Sequence, residues 1–406
     1  MIAATPMPNY PAPGICIGAL LAFASALGLA ALMARGGFPL PGGAKRIGQL
    51  DGLRGFLSLS VMVHHFVVWL QIARLGGSWA TPSINFFQML GTGAVALFFM
   101  TTGLLFYPRI RAGFSGNSWP ALLISRVFRL IPLSVVSLVL VTLVIMVQTG
   151  HGLDADFPGA ALQWITAAAM PPLLGYADSA RVNAYVLWSL NYEWQFYLVI
   201  LPVCAVLMDL FRPRLPSWAL PVAVILIGMI GRRLFPDVGV LKYIPLFATG
   251  MLAFEAQSRP GLASRMQSRA ATCGAIIALA IALTLFKTPL DLAWPFLAFF
   301  FLAVACGNDM GGLLRTGAAQ VLGECSYGMY LMHGIVLFVL FTHGGALTDR
   351  FATPVLPLLL PLAAVAVVLL TAATYLAVER PGMAAGRYLS GLWRSLAERK
   401  ISLASK

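Results

Sequence analysis

The sequence predicts an all-α fold, a polytopic transmembrane helical bundle of about eleven spans, within a range of about ten to twelve. Three observations carry this. Of the 406 residues, 59% are hydrophobic and only 10% are charged, roughly half the charged share of an ordinary soluble domain, and the mean hydropathy is +0.85. Apolar runs long enough to span recur along the chain, and basic residues fall into the short loops between them. A soluble globular protein is therefore excluded, and so is disorder, which needs low hydrophobicity and high charge. The net charge of +13, from 27 Lys and Arg against 14 Asp and Glu, has the pattern of positive-inside anchoring in a lipid bilayer. It does not form the continuous face that would track nucleic acid.

The first run, 15–33, is long enough to cross a bilayer, and the uncharged segment before it lacks the basic region of a secretory signal. It reads as a retained helix. Further runs occupy 56–73, 90–107, 130–148, 185–208, 218–231, 240–255, 270–286, 290–306, 327–341 and 354–377. The run 160–174 is broken by Pro171 and Pro172 and is short for a crossing, which reads as a re-entrant or interfacial segment. No internal repeat, low-complexity linker or long hydrophilic stretch is visible. The chain divides into an additional N-terminal helix with its loop (1–49), a main membrane domain (50–381) and a basic tail (382–406).

Orientation follows from placing the basic loops in the cytoplasm: Arg35 with Lys45 and Arg46, Arg109 to Arg129, Arg212 with Arg214, Arg259 to Arg269, and the tail with Arg380, Arg387, Arg394, Arg399 and Lys400. These alternate with eleven spans if the N-terminus is outside and the C-terminus inside. The segment 151–178, with Asp154, Asp156 and Asp178, then lies outside, whereas Arg232 and Arg233 fall on the wrong side. The five cysteines (Cys16, Cys204, Cys273, Cys306 and Cys325) are odd in number and lie in or beside apolar runs. They form neither a disulfide framework nor a metal site.

Ionisable groups inside a bilayer are costly, so those within spans are functional candidates. In LDGLRGFLSLSVMVHHF, Arg54 and His65 are eleven residues apart, three helical turns, so both share one face about 16 Å apart. Arg54 then lies at the cytoplasmic surface and His65 near mid-membrane, with His64 pointing about 100° away. A neutral imidazole there serves as a general base for an incoming hydroxyl, and two adjacent histidines above a registered arginine favour that reading over simple helix packing. In WSLNYEWQFY, Ser189, Glu193 and Tyr197 recur every fourth residue on one face. Glu193, close to the outer end in this topology, reads either as an acid–base or hydroxyl-binding group, or as a structural anchor among interfacial aromatics.

In ISRVFRLIP, Arg126 and Arg129 share a face at a cytoplasmic helix start, a pattern that suits a phosphorylated donor and equally suits positive-inside anchoring. CSYGMYLMH sets Ser326, Tyr330 and His333 in a polar stripe, where helix packing is the favoured role of His333 and a hydroxyl from Ser326 or Tyr330 is available to an oxyanion. VERP closes the last span. No phosphate loop, zinc helix or nucleophile elbow is present, and no metal is expected.

Taken together and in order over 50–381, these segments resemble the acyltransferase 3 family of integral membrane acyltransferases. The resemblance rests on LDGLRG with its R-x10-H, GTGAVALFFMTTG, SRVFRLIP with its R-x-x-R, WSLNYEWQFY, LFATGML, CSYGMYLMH and VERP. It implies transfer of an acyl group, commonly acetyl from acetyl-CoA, to a sugar hydroxyl of a surface polysaccharide, glycolipid or related acceptor in the bacterial inner membrane. Acyl-CoA is then a substrate, with no permanently bound cofactor. The family's histidine maps onto His65, its R-x-x-R onto Arg126 and Arg129, and its glutamate onto Glu193. Arg54 joins the donor-binding set, with His64, Ser189, Tyr197, Ser326, Tyr330 and His333 in support. The family typically has about ten spans, so the helix before residue 50 is an addition. Thr101 and Thr102 stand where serine is usual, and no hydrolase-like domain follows Pro381. Two competing classes are a secondary transporter, which the lack of repeated halves disfavours, and a silent component of polysaccharide export.

Overall fold

The computed structural model describes residues 12–40, 47–75, 78–212 and 214–404. Lys45 and Arg46 lie outside the described residues, as do the side chains of Arg399 and Lys400. Among the described residues every regular element is a helix. Long apolar helices are α1 (Ala12–Arg35), α2 (Gly48–Leu75), α3 (Asn85–Ala112) and α4 (Trp119–Thr149). After the short α5 (Phe157–Ile165) comes α6 (Leu187–Phe211), whose centre at Phe196–Ile200 is a π turn. Then follow α7 (Ala219–Leu234), α8 (Gly239–Gln257), α9 (Pro260–Met266), α10 (Arg269–Leu285), α11 (Trp294–Ala305), α12 (Gly317–Glu324) and α13 (Ser326–His343). Finally α14 (Leu360–Thr374) continues through a π turn at Tyr375–Glu379 into α15 (Arg380–Ala404).

Seven of these helical stretches are long and apolar enough to cross a membrane, or up to eight if α9 and α10, bent by 68°, make one broken span. Two of the eleven runs expected from hydropathy are not among them because an apolar run does not fix helix length. At about 1.5 Å per residue, the 16 residues of α7 and the 12 of α11 reach less than the hydrocarbon thickness of about 30 Å. The nine-residue α5 is likewise too short to cross.

The membrane assignment is visible in the side chains. On α4 the outward ladder is apolar, with Val135, Val139, Leu143 and Val147 exposed, while Ser134, Ser137 and Thr142 are buried. Water would not support such an inverted helix; lipid does.

The chain forms two units, Met1–Phe98 with Ala256–Leu370, and Phe99–Glu255 with Thr371–Lys406. In the first, α2 packs on α12 and α13. The glycines of LDGLRG make this possible. A Cβ at Gly52 would overlap the Leu314 carbonyl oxygen, and one at Gly55 would lie 2.6 Å from Leu322 Cβ. Gly323 on α12 faces the Asp51 carbonyl in the same way, so the helices cross backbone to backbone. Gly52→Ala is therefore expected to cost roughly 1–3 kcal/mol as an overpacked site. Gly28→Ala, where nothing lies within 4 Å, should be neutral or better, and thermal unfolding of the two variants checks the contrast.

In the second unit α15 runs along the first half of α4, with Ser390 Oγ donating to the Ala121 carbonyl at 3.0 Å. The turn after α3 is pinned by Asp209 of α6, which accepts from the Phe114 amide at 2.7 Å beside Gly113 at φ 79°.

Candidate active site

Within the first unit, α2 and α13 meet at two levels. Ser58 Oγ donates to the Ser326 carbonyl at 2.8 Å, and seven residues further along each helix His65 Nδ1 lies 2.9 Å from His333 Nε2. The two imidazoles are nearly parallel, with centroids 5.0 Å apart. His333 Nδ1 is 2.9 Å from the Met329 carbonyl. A carbonyl only accepts, so His333 carries its proton on Nδ1 and presents a lone pair at Nε2. His65 must then donate from Nδ1, which leaves the lone pair of the neutral ring on His65 Nε2, the atom a general base requires.

The surroundings hold this ring. Trp79, in the loop after α2, sits 5.9 Å from His65 between centroids and packs edge-on against Trp69. His64 turns the other way. Its Nδ1 donates to the Phe87 carbonyl at 2.9 Å, and its ring rests where Gly91 leaves room, since a Cβ there would come within 2.5 Å of it. His64 thus ties α2 to α3. Tyr330, buried and one turn before His333, has its ring centroid 6.3 Å from that imidazole. Ser326 lies two turns from His333, about 10 Å along the axis, and its Oγ is buried. Of the two hydroxyls considered for an oxyanion, Tyr330 is the nearer. Arg54 pairs with Asp51 at 4.0 Å, three turns from His65.

In the second unit, the Arg126 guanidinium lies over the rings of Phe106 at 5.2 Å and Tyr197 at 5.8 Å. Tyr197, carried on the π turn of α6, donates its hydroxyl proton to Glu193 Oε1. A π turn shifts the register by one residue and is frequent at functional sites. Arg129 takes a different partner. Its Nη1 is 3.8 Å from Glu379 Oε2, and the Glu379 side chain is completely buried. Ser189 donates to the Val186 carbonyl at 3.2 Å.

These positions correct one expectation. The topology read from loop charges puts Arg126 at the cytoplasmic surface and Glu193 near the outer end, yet Tyr197 links them. The reason is helix length: α4 starts at Trp119, seven residues before Arg126, and α6 starts at Leu187. Arg126 therefore lies well inside its helix, and Tyr197 about 15 Å into its own.

The sequence separately marked His65 and His333, and the structure joins them; it did not mark Trp79 or the pairing of Arg129 with Glu379. The available signals were an aromatic residue in the loop directly after the histidine-bearing span and the lone acid of VERP.

A family model described as an acyltransferase domain matches residues 47–377. No curated protein and no solved structure matches the chain. With the match covering most of the sequence, and all of α2 and α13, this membrane protein belongs to the acyltransferase 3 family.

Proposed function

We propose that the protein is an O-acyltransferase that moves an acyl group from acyl-CoA to a hydroxyl of a carbohydrate, such as a surface polysaccharide or glycolipid, in the bacterial inner membrane. Its N-terminus is outside and its C-terminus inside. The observation that carries this reading is the His65–His333 pair, with a lone pair assigned to His65 Nε2, in a chain of this family. His65 Nε2 takes the proton of the acceptor hydroxyl as its oxygen attacks the thioester carbonyl. The C–S bond then breaks and the leaving thiolate takes the proton back from the His65 imidazolium, giving the ester, the CoA thiol and the neutral base. His333 accepts from His65 Nδ1–H throughout, fixing the tautomer and steadying the imidazolium. Tyr330 supplies a donor to the developing oxyanion. Arg54, Arg126 and Arg129 bind the donor's phosphates, Arg126 from its aromatic seat. Glu193, through Tyr197, holds a hydroxyl of the acceptor.

The positioning role of His333 has its own expected result. His333→Leu should lower kcat about 10- to 100-fold, the scale of losing a histidine's orienting partner, with KM for acyl-CoA unchanged. His333→Gln, which restores an acceptor, should recover part of the loss. For the function itself, mass spectrometry of surface glycans and glycolipids from cells expressing the wild type should show a base-labile acyl ester that cells expressing His65→Ala lack at matched membrane levels. A solute gradient that depends on the protein, with no ester formed, would replace the transferase by a transporter.

A further inference from the structure

The C-terminal end of α2 carries an aromatic group around the proposed base. Trp69, one turn beyond His65 on the same helical face and 2% exposed, lies flat on Phe341 of α13 at 5.9 Å between centroids and 8° between planes, with Phe338 edge-on at 5.6 Å. Trp79, in the loop between α2 and α3, stands edge-on to Trp69 at 5.7 Å and reaches the His65 ring at 5.9 Å, tilted by 32°. All of these residues belong to the first unit. Trp69 is the buried footing, whereas Trp79 and His65 are only half-buried. An indole surface is thus accessible directly beside the base.

Its place on α2 indicates what it receives. Arg54, a donor-phosphate ligand in the reading above, lies three turns to the N-terminal side of His65, about 16 Å away, and Trp69 and Trp79 follow on the C-terminal side. The donor and the aromatic group therefore reach the base from opposite ends of the helix, which leaves the Trp79 side to the acceptor. The cation at that end, Arg74, is committed to the Thr348 and Phe351 carbonyls and to Asp349, so the surface is not built for a phosphate or carboxylate. A neutral pyranose suits it. Axial C–H bonds give a sugar ring with equatorial hydroxyls an apolar face, which loses its water on the indole while the rim hydroxyls keep their hydrogen bonds. A sugar sandwiched between two rings needs them about 8 Å apart, twice a carbon contact of about 4 Å. At 5.9 Å Trp79 and His65 admit none between them, so the sugar packs on the accessible part of Trp79 with one rim hydroxyl directed to His65.

We propose that Trp79 is the platform on which a pyranose of the acceptor packs. The proposal rests on the transferase reading and assigns its acceptor side. The test uses the full chain in lipid nanodiscs with labelled acetyl-CoA, and as acceptor probe the glycan and glycolipid fraction of the expressing cells stripped of base-labile esters. Trp79→Leu fills the room beside His65 without a flat face, whereas Trp79→Phe keeps one. Trp79→Leu should raise KM for the glycan fraction roughly tenfold, the worth of about 55 Å² of apolar contact, with kcat and KM for acetyl-CoA little changed. Trp79→Phe should recover most of the loss. If Trp79→Leu does not fold, Trp79→Met makes the same comparison. An unchanged KM for the glycan fraction in the folded variant overturns the proposal. So does a fall in kcat alone, which would make Trp79 a packing wedge for His65, or a rise confined to KM for acetyl-CoA, which would assign the surface to the donor. In each of these cases ester still forms and the transferase stands. Absence of ester from the wild type at every glycan concentration would remove the transferase reading and this proposal together.

Discussion

Alanine at position 65 is expected to lower acyl transfer by about 100- to 10,000-fold, the contribution of a positioned general base, while the protein still folds and inserts. The basis is the direction of the proton chain rather than the presence of a histidine. The Met329 carbonyl fixes the His333 tautomer, His333 fixes that of His65, and the lone pair of His65 is left on Nε2. Removing the His65 ring leaves His333 Nε2 without its donor, a cost of about 1–3 kcal/mol for a buried acceptor, so thermal unfolding must accompany the kinetics. Loss of rate with a small shift in unfolding identifies the base. Comparable loss from His64→Ala, whose ring packs between α2 and α3 through the Phe87 carbonyl, would mean that packing of this region sets the rate.

The second large effect concerns stability. Arg129 and Glu379 pair at 3.8 Å with the glutamate side chain entirely buried. Arg129→Ala or Glu379→Ala removes one member of this buried ion pair, at an expected cost of roughly 3–5 kcal/mol. Replacing both, as Arg129→Met with Glu379→Leu, should be far milder than the sum, because the desolvation of both charges is relieved at once. Thermal unfolding of the four proteins measures the coupling. The same series separates two roles within R-x-x-R. Arg126 lies over the faces of Phe106 and Tyr197, so Arg126→Ala should act chiefly on KM for acyl-CoA. Arg129→Ala should raise KM as well but also lower stability, and wild-type stability in that variant would contradict the structural role of its pair with Glu379.

The helical register of α2 was legible because a single helix obeys one periodicity. Eleven residues separate Arg54 from His65, and α2 keeps both on one continuous helix. What pairs across helices was not legible. His65 and His333 are 268 positions apart, and nothing local in either motif says which nitrogen faces the other. The contact between α2 and α12 was hidden in a different way: the glycines of LDGLRG look like breakers in sequence, but here they stay helical and admit another backbone. Tyr197 joins Arg126 to Glu193 from a π turn that hydropathy does not register. The span number of about eleven is not confirmed for a related reason, because apolar runs such as those of α7 and α11 form helices too short to cross a bilayer unaided.

The most direct test of the central claim is acyl transfer by the purified full chain in nanodiscs, wild type against His65→Ala, followed as labelled ester formed together with free CoA thiol released. The wild type should produce ester and thiol in equal amounts while His65→Ala, equally folded, produces neither above background. Equal ester formation by the two proteins would contradict the assignment of His65 as the base.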